Sequence, residues 1–408
     1  NIGSNDMQLM PLLHKTFERS LPFVHKTRLG NLINACTTAV RTNKLYLTGL
    51  GRELINKNKT SSNIQKIDRL LGNEHLHKER ADYYKTLTSY LMSEHSTPWI
   101  HIDWSCINSV TNIYVLRASL SMSGRSIVVY EECHPKKKEN NHVTHKTFLN
   151  NLQGILPLST KPIIVTDGGF RGPWFAYVRS LGWDFVGRLR NKNLVLMDNS
   201  SCWQLSKNFF QDATSRPTYI GYGLLTKDGK VPGNFVLYKN VNKARHKINI
   251  NKNISRSGKS KRYSTANKEP WLLVTSLAST DDIAKQTVNI YRQRMRIEEN
   301  IRDTKNPHYG LGLKKSLSRC TDRVGILLLI AAIATFAAWL AGVYTTFIGK
   351  ASDFQAHSAK FTSALSKVYL GRQVLKRKFS ITKKQLDYAL EQLYLIAVNT
   401  QFEQPSYD

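Results

Sequence analysis

The chain has 408 residues, 59 Lys+Arg against 29 Asp+Glu, a formal net charge of +30 and a pI near 9.9. Its length exceeds the usual single domain, and so large a positive excess excludes an ordinary balanced enzyme surface and points to a polyanionic partner. With 41% hydrophobic residues spread along the chain, a globular body with a basic surface that meets nucleic acid fits better than attachment to acidic lipid.

The five cysteines form no CxxC pair and no zinc-ligand spacing, which suits a reduced cytosolic protein. His75 and His77 flank one residue, but no partner motif stands nearby and a surface pair is the plainer reading. Asn1 to Asp6 contain Gly-Ser and are set aside, with Met7 as the expected start; the charges His14, Lys15, Glu18 and Arg19 in the opening segment argue against a cleavable signal.

The N-terminal part alternates amphipathic segments with turn residues: Arg28 to Val40, Leu47 to Ile55, and Ser62 to Leu71 closed by Gly72-Asn73. This predicts a helical DNA-binding domain over 7–95. In its third segment Ile64, Ile67 and Leu71 share one face while Lys66 and Arg69 point elsewhere, the pattern of a helix-turn-helix-like reader. From Pro98 the pattern turns to strands, at Trp99 to Trp104, Ile113 to Leu120 and Ser126 to Glu131, an antiparallel meander turned at Ser123-Gly124. A helix at Lys146 to Ile155, an apolar run from Pro162 to Thr166 ending at Asp167-Gly168-Gly169, a helix at Trp174 to Leu181 and a strand at Trp183 to Arg188 follow. That order is a mixed α/β sheet.

A β-rich insertion is expected at about 190–269, with strands at Tyr219 to Leu225 and Asn234 to Tyr238. Within it Lys239 to Arg262, including Lys243, Arg245 and Lys247, holds no acidic residue and reads as a loop that meets phosphates. Trp271 to Leu277 returns as a strand, and one long helix is expected from Asp281 to about Thr304. Gly325 to Gly349 runs for more than twenty residues without a charge, long enough to span a membrane. Its alanines, Gly342 and isolation in the chain favour a buried core helix. Further helices complete the chain to Asp408.

Two carboxylates stand where burial is costly without a purpose: Asp103 in the apolar strand WIHIDW, and Asp167 at the end of IIVT. On the long helix, Tyr291, Arg294, Glu298 and Lys305 are spaced by three, four and seven residues, which at about 100° per residue places them within a wedge of roughly 60°. Arg302 falls near that face, and Ile290, Ile297 and Ile301 lie on another that can pack against a sheet. Phosphodiester chemistry with two divalent cations needs several such carboxylates converging from different elements.

Tyr291, Arg294, Glu298 and Lys305 match the signature Y-x2-R-x3-E-x6-K without a gap, and IDWS and VTDGGF match two aspartate motifs. With IDRLLGNEHL, VLRASL and KNPHYGLGLK, these stretches make the chain resemble the bacterial insertion-sequence transposases of the YREK type, the group that includes the Tn10 transposase. The resemblance implies an α/β RNase H-like catalytic domain over 96–345 interrupted by the β insertion, with a helical C-terminal region over 346–408 used in dimerisation and DNA contacts. It implies Asp103, Asp167 and Glu298 as ligands of two Mg²⁺ or Mn²⁺ ions. Tyr291, Arg294 and Lys305 would hold phosphates, Trp271 would meet a flipped base and Met295 would be a second wedge. The expected partners are the terminal inverted repeats, target DNA and a second copy of the chain, in a cytoplasmic, nucleoid-associated setting without a membrane. The chemistry the resemblance implies is hydrolysis of one strand at each transposon end, hairpin formation and opening, and strand transfer into target DNA.

Overall fold

The structure is a computed structural model that describes residues 7–190, 193–240, 269–356, 365–377 and 379–401. Two compact units emerge. The first takes the chain up to Lys161 and resumes at Met295, and the second runs from Pro162 to Arg294. Compactness therefore groups the chain differently from the functional division read in the sequence.

In the first unit, five helices precede the sheet: α1 (Leu9–Ser20), α2 (Lys26–Thr42), α3 (Leu47–Glu53), α4 (Thr60–Leu71) and α5 (Glu74–Ser89). Local chemistry sets their limits. α4 stops at Gly72, and the Asn73 side chain accepts the Leu76 N–H at 2.9 Å to start α5. On α4, Ile67 and Leu71 are buried, Ile64 and Lys66 half-buried, and Arg69 exposed.

Three strands then form the expected meander: β2 (Trp99–Asn108), β3 (Ile113–Met122) and β4 (Arg125–Pro135), β1 being the two residues Met7–Gln8. Gly124, at φ +72°, makes the turn between β3 and β4 where a side chain would be strained. α6 (His142–Ile155) begins on Asn141, whose side chain accepts from the N–H groups of Val143 and Thr144.

The second unit holds a seven-stranded sheet in the order β5-β6-β11-β10-β9-β7-β8. Its strands are β5 (Ile163–Thr166), β6 (Asp184–Leu189), β7 (Leu194–Met197), β8 (Gln204–Leu205), β9 (Thr218–Leu225), β10 (Val231–Tyr238) and β11 (Trp271–Thr275). β5 and β6 pair in parallel through α7 (Gly172–Ser180), and the other pairings are antiparallel, so the sheet is mixed as expected. The strands expected in the insertion stand as β9 and β10, while the short β7 and β8 carry too few residues for a periodic signal. Lys243, Arg245 and Lys247 lie outside the described residues.

One expectation needs correction. The single helix from Asp281 to Thr304 is two helices, α8 (Ile283–Arg292) and α9 (Met295–Lys305), separated by a turn in which the Arg294 N–H donates to the Tyr291 carbonyl. The division between the units falls at this turn. Gln293 is buried at this turn, and the wedge of roughly 60° was calculated for an unbroken helix that the chain does not form.

α10 (Thr321–Phe347) is the apolar helix, and 94% of its most hydrophobic window is buried inside the protein. It is the core helix of the first unit, which explains why it is apolar all round. Its small residues serve close packing: a Cβ at Gly342 would overlap the Lys367 carbonyl, and one at Gly371 the Ala338 carbonyl, so α11 (Lys367–Leu375) lies backbone to backbone on α10. α12 (Lys383–Thr400) starts with a reciprocal cap between Thr382 and Gln385, just after β12 (Ser380–Ile381) pairs with β1.

A buried polar network joins α9 to the meander. Arg117 on β3, 1% exposed, bonds Glu131 on β4 at 2.6 Å, Asn300 on α9 at 2.6 Å and Thr304 at 3.3 Å. The Tyr84 hydroxyl of α5 donates to the other Glu131 oxygen at 3.0 Å, and Asn300 donates to the Ser126 carbonyl. At the end of the hairpin Arg125 pairs with Glu299 at 2.8 Å and Asp303 at 3.1 Å. Glu131→Ala, which strands the Arg117 charge, is expected to lower stability by about 3–5 kcal/mol in urea unfolding, and Arg117→Leu combined with Glu131→Leu to recover most of that loss.

Candidate active site

Asp103 lies in the middle of β2, half-exposed, opposite Arg117 of β3 in register. Glu298 stands in the first turn of α9, whose Ile297 and Ile301 are buried against the unit. Both carboxylates line one open cleft of about 580 Å³, together with Ser105, Arg302, Lys305, His308 and Lys314. Carboxylates from a strand and a helix thus face one cavity, among cations that can receive phosphate oxygens, and no group of three or more His, Cys, Asp or Glu side chains able to hold a metal ion is found among the described residues.

Lys305 ties the helix to the strand. Its ammonium donates to the Ser105 hydroxyl and the Cys106 carbonyl of β2, each at 3.0 Å. Burial, then the Arg117 guanidinium, holds Lys305 below the usual lysine range, with Lys314 adding to the effect and Asp103 opposing it. Arg302 is exposed at the cleft and lies 3.6 Å from Glu299. Met295, half-exposed, opens α9.

The second unit builds its own cluster. Asp167 follows β5 at the point where the strand ends, and the Gly169 N–H donates to its carboxylate at 2.9 Å, orienting it. A Cβ at Gly168 would press on the Arg190 side chain, which would have to shift. Tyr291 closes α8, buried, with the Trp271 ring edge-on to it at 4.9 Å and the Arg294 guanidinium 5.9 Å from its centroid. Burial pushes the Tyr291 phenol up, while Arg294 and Arg188 favour its ionised form and Asp167 disfavours it. Trp271, half-buried, packs between Tyr291 and Tyr238.

Arg188 was not singled out as a site residue, yet it is buried on β6 and reaches Glu269 at 3.0 Å, and a hydrogen bond links it to Tyr291. A cation in the apolar strand DFVGRL was the available signal. Lys314, Ser105 and His308 were likewise not assigned roles; they join the cleft through the turn after α9 and through β2, which sequence spacing does not reveal.

The transposase DDE domain family matches residues 102–337, more than half of the chain, and the match takes in Asp103, Asp167, Glu298 and Lys305. The chain belongs to this family. No curated protein matches it closely enough to add a named relative. Membership implies a DNA transposase with an RNase H-like fold and a requirement for divalent metal, and DNA as partner.

Because burial lowers its pKa, Lys305 loses its charge at a lower pH than an exposed lysine. Lys305→Arg is expected to move the alkaline limb of the DNA-cleavage rate to higher pH; an alkaline limb unchanged by the substitution would remove Lys305 from the rate profile.

Proposed function

We propose that this DDE transposase is a cut-and-paste enzyme of the YREK type, which cleaves transposon ends, passes through a DNA hairpin and joins the 3′-OH ends to target DNA. The observation that carries the reading is the cleft where Asp103, Glu298 and Lys305 meet, in a chain of this family.

Asp103, Asp167 and Glu298 would hold Mg²⁺ or Mn²⁺, two per active site. Their oxygen donors suit such ions. When bound, the ions supply activation of the attacking oxygen and stabilisation of the leaving oxygen. Lys305, anchored on Ser105 and Cys106, presents a fixed positive charge to a phosphate, and Arg294 offers a planar pair of donors. Tyr291 orients through its hydroxyl, its ring held by Trp271 and its phenol kept protonated by burial. Trp271 and Met295 are assigned to the distorted DNA end, the first for stacking on a flipped base and the second as a wedge; the half-exposure of Met295 supports its assignment.

The helices over 7–95 read the terminal repeats through Lys66 and Arg69, of which Arg69 is exposed on α4. Arg302 adds a phosphate contact at the cleft, and a phosphate-meeting role is proposed for Lys243, Arg245 and Lys247 on their charge alone, as they lie outside the described residues. The region 346–408 pairs two copies when two ends are held together, and the setting is the bacterial cytoplasm at the nucleoid.

Labelled DNA bearing the element's own terminal repeats is the test. Wild type with Mg²⁺ is expected to give hairpins and joined products, and Asp103→Asn, Asp167→Asn or Glu298→Gln to lose at least about a thousandfold in rate while still binding DNA, since each removes a ligand of the reacting centre. Cutting without joining points instead to a nuclease, and binding without cutting in either metal to a DNA-binding derivative.

A further inference from the structure

After α9 the chain makes a turn, Asn306-Pro307-His308-Tyr309-Gly310, that is held far more firmly than a surface loop needs. The Asn306 side chain accepts the N–H groups of His308 at 2.7 Å and Tyr309 at 3.1 Å, and its carbonyl accepts those of Gly310 and Gly312. Gly310 has no room for a Cβ against the Asp303 carbonyl, and Gly312, at φ +79°, lies against the Asn43 carbonyl at the end of α2. From α11 the buried Arg372 donates to the Tyr309 carbonyl at 2.6 Å, the Gly310 carbonyl at 2.8 Å and the Asn43 side chain at 3.0 Å.

This scaffold presents an aromatic to solvent. Tyr309 is 69% exposed while the backbone beneath it is fixed on three sides. Its neighbour His308 is also exposed, with ring centroids 6.4 Å apart, and lines the cleft of Asp103 and Glu298. An exposed ring on a rigid turn loses little conformational freedom when a flat partner stacks on it. Beside a cleft that carries Lys305, Lys314 and Arg302, the flat partner that fits is a nucleobase whose phosphates those cations hold.

We infer that Tyr309 is a base-stacking residue, on which a nucleobase close to the reacting phosphate rests, with Arg372 as the positioning residue that fixes the turn. This rests on the transposase reading for the identity of the DNA, and it adds a subsite on the side of the cleft formed after α9.

The test walks 2-aminopurine, one position at a time, along both strands of a terminal-repeat duplex around the cut. Bound by wild type or Tyr309→Phe, the reporter is expected to be quenched at one or two adjacent positions, and that quenching to vanish with Tyr309→Ala. An abasic site at the same position is expected to weaken wild-type binding about tenfold and to leave Tyr309→Ala with no further loss, as coupled partners do. Since Tyr309 is exposed, its variants should melt as wild type does, and Arg372→Lys should restore more of the quenching than Arg372→Ala. Quenching that survives Tyr309→Ala at every position, or an abasic penalty equal in both proteins, overturns the inference. A wild-type protein that stacks the reporter but never cuts sinks the transposase reading and leaves the stacking residue standing, and one that does not bind DNA overturns both.

Discussion

The buried pair of Arg117 and Glu131 is the constraint on which the first unit's site depends. Both charges are withdrawn from water, and only a full set of partners makes that tolerable: Tyr84 from α5, and Asn300 and Thr304 from α9. The pair and its partners span four elements, β3, β4, α5 and α9, so satisfying the charges fixes where α9 lies on the meander. Glu298 rides on the same helix two residues before Asn300, and Asp103 sits across from Arg117 on β2. The network thus sets the relation of the two carboxylates from behind, without occupying the cleft they line.

The same guanidinium acts electrostatically on Lys305, holding its pKa down together with burial. Its ammonium donates to the Ser105 hydroxyl and the Cys106 carbonyl, and Asp103 opposes the lowering. Structure and chemistry share residues here: the contacts that seat α9 also define which oxygens the ammonium faces. On the far side of that helix, Arg125 with Glu299 and Asp303 repeats the arrangement at lower burial, where solvent screens it and its energetic weight is small.

Two helices of the C-terminal part, the long α10 and the short α11, serve the site indirectly. α10 fills the core of the unit, and glycines at 342 and 371 bring α11 so close that Arg372 can reach the turn after α9. A segment that reads as a membrane span by length alone is, in this packing, the beam against which the site's last turn is braced.

Much was legible in the residues themselves. The meander, β9 and β10, the helical N-terminal part and the burial of α10 follow from periodicity, turn residues and composition, which act locally. Asp103 and Asp167 stood out because a carboxylate in an apolar strand is costly, and the motif spacing marked Glu298 and Lys305. Sequence alone did not show the break between α8 and α9, because a helix-compatible run such as YRQRMR carries no Gly or Pro to announce it and tertiary packing decides where it turns. Nor could spacing bring Ser105, His308 and Lys314 into the cleft of Asp103 and Glu298, or set Arg372 beneath Tyr309 across more than sixty residues of chain. Residue types and local order pointed to the transposase family; the burial of one ion pair and the close approach of two helices, which exist only in the folded chain, decided how the first unit's groups meet.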